Sequence, residues 1–168
     1  KVPYSGDHED LGALMALAAK VDAKLVYLAN PDNPMGTWVS GQSIVDQLDK
    51  LPSGCLLVLD EAYVEFAPAG TAAPVEIGDP RVIRMRTFSK AYGMAGARVG
   101  YALGAAPLVK AFDKIRNHFG MNRAAQAGAL AALLDQEYLD TTVSNVVRAR
   151  PEIDRIAKIN GPTTVASA

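Results

Sequence analysis

With 168 residues, of which 49% are hydrophobic and 21% charged, the chain can enclose one well-packed core and is too apolar for a disordered segment. A formal net charge of -1, with acidic and basic residues interspersed, offers no basic stripe to nucleic acid. The single cysteine, Cys55, sits in an apolar run and reads as an inert core thiol, which excludes a disulfide within the chain.

Lys1 to Asp10 opens without a methionine and reads as a mid-chain segment, extended at Val2-Pro3-Tyr4, with Asp7 expected to cap the helix that follows. From Glu9 to Lys20, Leu11, Leu14, Met15 and Ala18 recur at helical spacing and form one apolar face. The two histidines, His8 and His118, have no ligand-like spacing, so His8 reads as a solvated loop residue and no metal is expected. Lys24 to Ala29 is a short continuous apolar run, expected to be a parallel strand covered on both faces. It ends at Asn30-Pro31-Asp32-Asn33-Pro34-Met35-Gly36, in which each asparagine is biased toward extended backbone by the proline after it. Trp38, just beyond, reads as packing. Ser40 is expected to cap a second amphipathic helix that runs to Leu51, with Ile44, Val45, Leu48 and Leu51 on one side.

Cys55 to Leu59 reads as a buried strand that stops at Asp60 and Glu61, where an open α/β sheet presents its ligand crevice. Ala67 to Pro80, rich in Ala, Gly and Pro, reads as a surface linker. Arg81 to Thr87 is a third strand, delivering Lys90 to the same edge, and Val99 to Gly104 a fourth. Pro107 to Phe119 is expected to be a helix with Leu108, Phe112, Ile115 and Phe119 on one face. Asn122 caps an Ala-rich helix through Leu134. The next helix, from about Glu137, meets Pro151, which should break or kink it near Arg150. Ile153, Ile156 and Ile159 then continue an apolar stripe to Asn160-Gly161-Pro162. The longest apolar-rich run, Ala124 to Leu134, is too short to span a bilayer and contains Gln126. With no signal peptide either, no membrane partner is expected and the cytoplasm is the default compartment.

The stretch that carries chemistry is Thr87-Phe88-Ser89-Lys90-Ala91-Tyr92-Gly93-Met94-Ala95-Gly96-Ala97-Arg98-Val99-Gly100-Tyr101. It sets one lysine among small residues and close to two hydroxyls, Thr87 and Ser89, with the donor fork of Arg98 suited to phosphate and glycines that let the backbone approach a ligand. A phosphorylated aldehyde cofactor fits such a pocket. Asp60 brings a carboxylate to the same edge, and Tyr63 follows three residues on. Glu61 and Glu65 read as structural or solvated.

In this order, the motifs resemble those of the fold-type I pyridoxal-phosphate aminotransferases, and their wording is most similar to the histidinol-phosphate aminotransferases, over the middle of a family chain. The resemblance implies a three-layer α/β fold with a mostly parallel sheet flanked by helices. Residues 1–145 would form the cofactor-binding large domain, incomplete at its N-terminal side. Residues 146–168 would form the connecting helix and the start of a small C-terminal α/β domain. It also implies pyridoxal 5'-phosphate as cofactor, attached through Lys90, which then shuttles a proton between substrate and cofactor. Asn33 and Tyr63 match residues that bind the phenolic oxygen and Asp60 the ring-nitrogen aspartate, while Thr87, Ser89 and Arg98 are assigned to the phosphate. The expected substrates are a small amino donor, histidinol phosphate-like or an aromatic amino acid, and a 2-oxo acid such as 2-oxoglutarate, handled by a homodimer. Two positions depart from the pattern: Met35 stands where threonine is frequent, and Asn117-His118-Phe119-Gly120-Met121-Asn122 where the histidinol-phosphate enzymes carry Pro-Tyr or Phe-Asn-Val-Asn. Decarboxylation of a phosphorylated amino acid by the same core motifs, and a truncated domain without complete catalytic machinery, stay open as alternatives.

Overall fold

Two apolar runs and one loosely alternating segment form parallel strands β1 (Leu25–Ala29), β2 (Leu56–Asp60) and β3 (Val82–Thr87) in the computed structural model, which describes residues 1–117 and 119–168. A fourth strand, β4 (Gly100–Gly104), returns antiparallel beside β3, so the sheet runs in sequence order β1-β2-β3-β4. The result is a mixed α/β sheet with helices, as expected. Alternation along the strands sends Val26, Leu28, Leu57 and Leu59 to one face, where they are fully buried. That face is covered by α1 (Leu11–Lys20) through Leu11, Met15 and Ala18, and by α2 (Gly41–Val45) through Ile44. Each such side chain contributes about 1.5–3 kcal/mol on burial, which makes this the main core of the segment.

The opposite face is open at β1: Leu25 is 65% and Tyr27 57% exposed, so the expected cover on both faces is corrected to cover on one. A second apolar cluster lies at the other end of the sheet. There Phe88, Tyr92 and Val99, on the β3–β4 connection, pack against Ala125 and Ala129 of α4 (Arg123–Leu134). The small side chains of α4 let it approach closely, and Asn122 caps it as expected, its Oδ1 accepting from the Ala125 amide at 2.7 Å.

Other boundaries differ from the sequence reading for identifiable reasons. Helix α1 is capped by Asp10, whose Oδ1 accepts from the Ala13 amide at 2.8 Å. Asp7 lies too far ahead to reach a free helix amide. Ser40 does cap α2, accepting from the Ser43 amide at 3.1 Å, but the helix ends at Val45 and Leu48 reaches the core from a separate 3-10 turn. Helix α3 (Ala106–Ala111) stops well before Phe119, because Ile115 and Phe119 find nothing to pack on and stand 83% and 95% exposed. The linker from Ala67 to Pro80 holds no helix or strand, yet it is not all surface, since Thr71 and Ala73 are buried against the core.

Helix α5 (Gln136–Asn160) continues through Pro151, so of the expected break or kink the break does not occur. Proline removes one donor and displaces the carbonyl four residues back, at Val147. Both positions are exposed, so water can satisfy what the helix loses. The apolar stripe of Ile153, Ile156 and Ile159 is likewise exposed. Among the described residues no helix is long and apolar enough to cross a membrane, and no cluster of His, Cys, Asp and Glu is arranged to hold a metal.

Candidate active site

Because β1, β2 and β3 are parallel, their carboxyl ends share one edge, and the register Ala29↔Asp60↔Met85 brings those ends level. The ladder continues one residue further, with the Asn30 amide donating to the Asp60 carbonyl and the Glu61 amide to that of Met85, both at 2.9 Å. Loops from all three strands therefore leave at one height. They surround a cavity of about 940 Å3 lined by Asn33, Asp60, Ala62, Tyr63 and Lys90, together with Tyr4, Glu9 and Tyr27.

The two asparagines of the first loop have separate tasks. Asn30 is buried and fully used by the fold: its Nδ2 donates to the carbonyls of Val39 and Thr71, and its Oδ1 accepts from the Val39 amide, all at 3.0 Å. Asn33 is exposed, and its Nδ2 donates to the Tyr63 hydroxyl at 3.2 Å, so the two groups converge on one spot. Both Asn–Pro peptide bonds are cis. On its far side the loop is held by the chain's last residue, the Ala168 amide donating to the Gly36 carbonyl at 2.8 Å.

The carboxylate of Asp60 has a donor on each oxygen: the Tyr27 hydroxyl on Oδ2 at 2.6 Å and the Ala62 amide on Oδ1 at 3.0 Å. Its neighbour Glu61 is only 1% exposed and faces β3. Arg84 grips it with two donors, Nε at 3.0 Å and Nη2 at 2.9 Å, and Arg86 adds Nε at 2.8 Å. Arg84 and Arg86 flank Met85, the residue paired with Asp60, so this buried triad ties the end of β2 to the strand that leads to Lys90. Burial opposes the charge of Arg86, but the hydrogen bond and charge of Glu61 outweigh it and hold the guanidinium above its ordinary value. Glu61 is thus structural, as expected. Glu65 is half-buried, and burial raises its carboxyl.

Beyond β3 the chain turns at Thr87, whose Oγ1 accepts from the Ser89 amide at 3.0 Å. Lys90 then stands with its Nζ 4.9 Å from the centre of the Tyr63 ring, within cation–π range. Thr87, Ser89 and Arg98 do not line the cavity with it. The pairing of Thr87 with Gly100 and of the Phe88 amide with the Val99 carbonyl sets Arg98 across from Ser89 on the β3–β4 connection. Arg98 has left-handed backbone (φ 54°), and its Nη1 donates to the Ala95 carbonyl at 2.8 Å. The turn is anchored by Phe88, whose ring lies 4.9 Å from that of Tyr92 and 5.6 Å from that of Tyr101. It also requires Gly100, where a Cβ would come within 2.7 Å of the Arg86 carbonyl oxygen.

Three cavity residues were not legible as site residues. The Tyr4 hydroxyl donates to Asp32 Oδ2 at 2.7 Å, and this bond, with burial and the carboxylate's charge, pushes the phenol up to about 12. Glu9 is pushed up to about 7, first by burial and then by the charge of Asp32, against a lowering by the Ala29 backbone, and its Oε2 has no hydrogen-bond partner among the described residues. Tyr27 is raised well above the usual tyrosine range, by burial and then by its bond to Asp60. A hydroxyl-bearing residue in the apolar run just before the Asn-Pro pair was the one available signal for Tyr27. The stretch from Asn117 to Asn122 includes position 118, which lies outside the described residues.

Residues 1–156 match the family model for aminotransferase class I and II. The chain is 43% identical over 149 residues to a histidinol-phosphate aminotransferase of Anaeromyxobacter sp. (strain Fw109-5), covering 86% of this chain and 40% of that protein. It is 41% identical over 160 residues to an aromatic amino acid aminotransferase of Corynebacterium diphtheriae, covering 93% of this chain and 45% of that one. The crystal structure of histidinol-phosphate aminotransferase from Sinorhizobium meliloti in complex with pyridoxal-5'-phosphate superposes with a TM-score of 0.96 at 51% identity, over 99% of this chain and 46% of that one. The chain spans about two-fifths of the length of the curated relatives it matches. A shared sheet topology and a match over most of the sequence lead to one conclusion: the chain belongs to the class I and II aminotransferase family.

Proposed function

We propose that the chain carries the central part of a pyridoxal 5'-phosphate-dependent aminotransferase, which moves an amino group between a small amino donor and a 2-oxo acid. The observation that carries this reading is the convergence of the Lys90 amine, the Asp60 carboxylate and the Asn33–Tyr63 donor pair on one cavity. This donor set fits the cofactor's chemistry: an amine for its aldehyde, an anion for its ring nitrogen, and two donors for its phenolic oxygen. The small side chain of Ala62 leaves room for a flat ring. The phosphate falls to Thr87, Ser89 and Arg98, and Arg98 forms no ion pair among the described residues, which leaves its guanidinium available to an anion. The cofactor found with the Sinorhizobium meliloti relative supports the same assignment.

When bound, the cofactor supplies an electron sink for the pair left behind as the substrate carbon loses its proton. The work of the chain's own residues follows from their positions. Lys90 would hold the cofactor's aldehyde carbon through Nζ with loss of water, and as a free amine would take and return the proton at that nitrogen. Asp60 keeps the ring nitrogen charged. Asn33 and Tyr63 orient the ring by donating to its oxygen, and Arg98 fixes the phosphate end.

Histidinol phosphate and 2-oxoglutarate are the substrates this reading favours, with aromatic amino acids second, since relatives of both names match at similar identity. Residues 1–145 are read as the cofactor-binding domain, with the rest of α5 and the tail leading toward a second, smaller domain. A homodimer in the cytoplasm completes the reading. Thr87 and Ser89 are half-exposed and Arg98 exposed, which gives a second subunit room to close the phosphate end. The test is turnover by the full chain: with cofactor, histidinol phosphate and 2-oxoglutarate, glutamate should accumulate. Asp60→Ala should still bind cofactor yet lose turnover, and Arg98→Ala should chiefly weaken cofactor affinity. Wild-type turnover by Asp60→Ala would refute the reading.

A further inference from the structure

Tyr27 lies in the middle of β1, paired with Val58, two residues short of the carboxyl edge. Its ring stands on the open face of the sheet and is 57% exposed, so a buried core does not account for an aromatic there. What its hydroxyl does is specific. It reaches across to β2, 33 residues away in sequence, and donates to Asp60 Oδ2 at 2.6 Å, a length typical of a hydroxyl donating to a charged carboxylate.

The geometry at Asp60 gives this bond a consequence. An aspartate carboxylate turns freely about its last torsion unless both oxygens are held. Here the Ala62 amide holds Oδ1 at 3.0 Å, and only Tyr27 holds Oδ2 among the described residues. With one donor on each oxygen the carboxylate plane is set, and each oxygen keeps a further acceptor site for a ligand in the cavity that both side chains line. Burial and the neighbouring carboxylate keep the phenol protonated through the neutral and alkaline range, so the donor is not lost where a transaminase would work.

We infer that Tyr27 is a positioning residue for Asp60: its hydroxyl holds the carboxylate in the orientation that meets the cofactor's ring nitrogen. The inference rests on the proposed role of Asp60 and adds a residue of another strand to the machinery that orients the ring. It separates Tyr27 from Asn33 and Tyr63, which hydrogen-bond each other rather than Asp60.

The test is Tyr27→Phe in the full chain, which removes one oxygen and keeps the ring at a half-open position. Cofactor affinity is measured by titration of its visible absorbance, ring orientation by its induced visible circular dichroism, and kcat and KM with the amino donor. The expected result is a three- to tenfold weaker cofactor Kd, a reduced dichroic signal, and kcat lower by about tenfold with KM for the amino donor within about twofold of wild type. If Tyr27 acts through Asp60, the same change made in an Asp60→Asn background shifts Kd and dichroism no further. Equal effects in both backgrounds, or wild-type values for Tyr27→Phe, overturn the inference. Failure of the wild-type chain to take up cofactor at Lys90 overturns the underlying reading of the site, and the inference with it.

Discussion

Removing the carboxylate of Glu61 should be among the most damaging single changes in the segment, although Glu61 itself does not line the cavity. Its carboxylate is buried and accepts three hydrogen bonds from two guanidiniums whose side chains are only 13% and 21% exposed. Glu61→Ala strips both cations of the carboxylate that bridges them, leaving only the half-buried Glu65 near Arg86. Breaking a buried pair by deleting one partner costs about 3–5 kcal/mol, and the second arginine places this site toward the upper end. Against a total stability of about 5–15 kcal/mol for a typical domain, that is a large fraction. Glu61→Gln keeps the shape and one acceptor but turns an amide donor toward a guanidinium, and should cost about 2–3 kcal/mol. Urea unfolding of the full chain, followed by circular dichroism, measures both. A companion variant sharpens the test: replacing Glu61, Arg84 and Arg86 together by Leu, Met and Met should recover most of the loss, because the cost lies in stranded charge rather than in lost attraction. A Glu61→Ala protein within about 0.5 kcal/mol of wild type, or a triple variant as unstable as the single one, would refute this reasoning.

Glu9 gives a pH prediction of definite sign. Its carboxyl is pushed up to about 7 in the folded chain, so between the usual carboxylate range and that value the folded state holds a proton that the unfolded state has released. Glu9 therefore lowers stability as pH rises through this window, and Glu9→Gln should raise the melting temperature at pH 8 with the gain vanishing below about pH 4.5. A gain of equal size at both pH values would contradict it. At Gly36, with φ at +73°, an alanine would be strained and its Cβ would fall 2.6 Å from that of Ser167. Gly36→Ala should cost about 1–2 kcal/mol and free the tail from the Asn33 loop, seen as faster hydrogen exchange of the Ala168 amide; unchanged protection there would count against the contact.

Much of this was legible beforehand because it depends on local pattern. Continuous apolar runs ending in Asn-Pro and Asp-Glu, and a loosely alternating segment ending in Thr-Phe-Ser-Lys, announce strands with polar ends, and parallel pairing then puts those ends on one edge whatever the details. Capping by Ser40 and Asn122 was equally local. What could not be read depends on register and cover. Tyr27 and Glu61 gain their partners only when β1, β2 and β3 align residue against residue, so a tyrosine in an apolar strand and one of two adjacent acids looked ordinary. Helix α3 had the right spacing but lacked a surface to bury against, whereas α2 ended early although Ile44 and Leu48 both reach the core. Pro151 does not break its helix for the converse reason, since an exposed helix can lose one hydrogen bond to water and continue. Thr87, Ser89 and Arg98 carry the right chemistry for phosphate, yet they do not line the cavity that holds Lys90.

The most direct measurement is covalent trapping: incubate the full chain with pyridoxal 5'-phosphate, reduce with borohydride, digest, and locate the phosphopyridoxyl mass by peptide mass spectrometry. Modification confined to the peptide carrying Lys90, and lost in Lys90→Ala, is the predicted result. Modification scattered over surface lysines, or retained in Lys90→Ala, would contradict the assignment of the cavity at the sheet's carboxyl edge as the cofactor site.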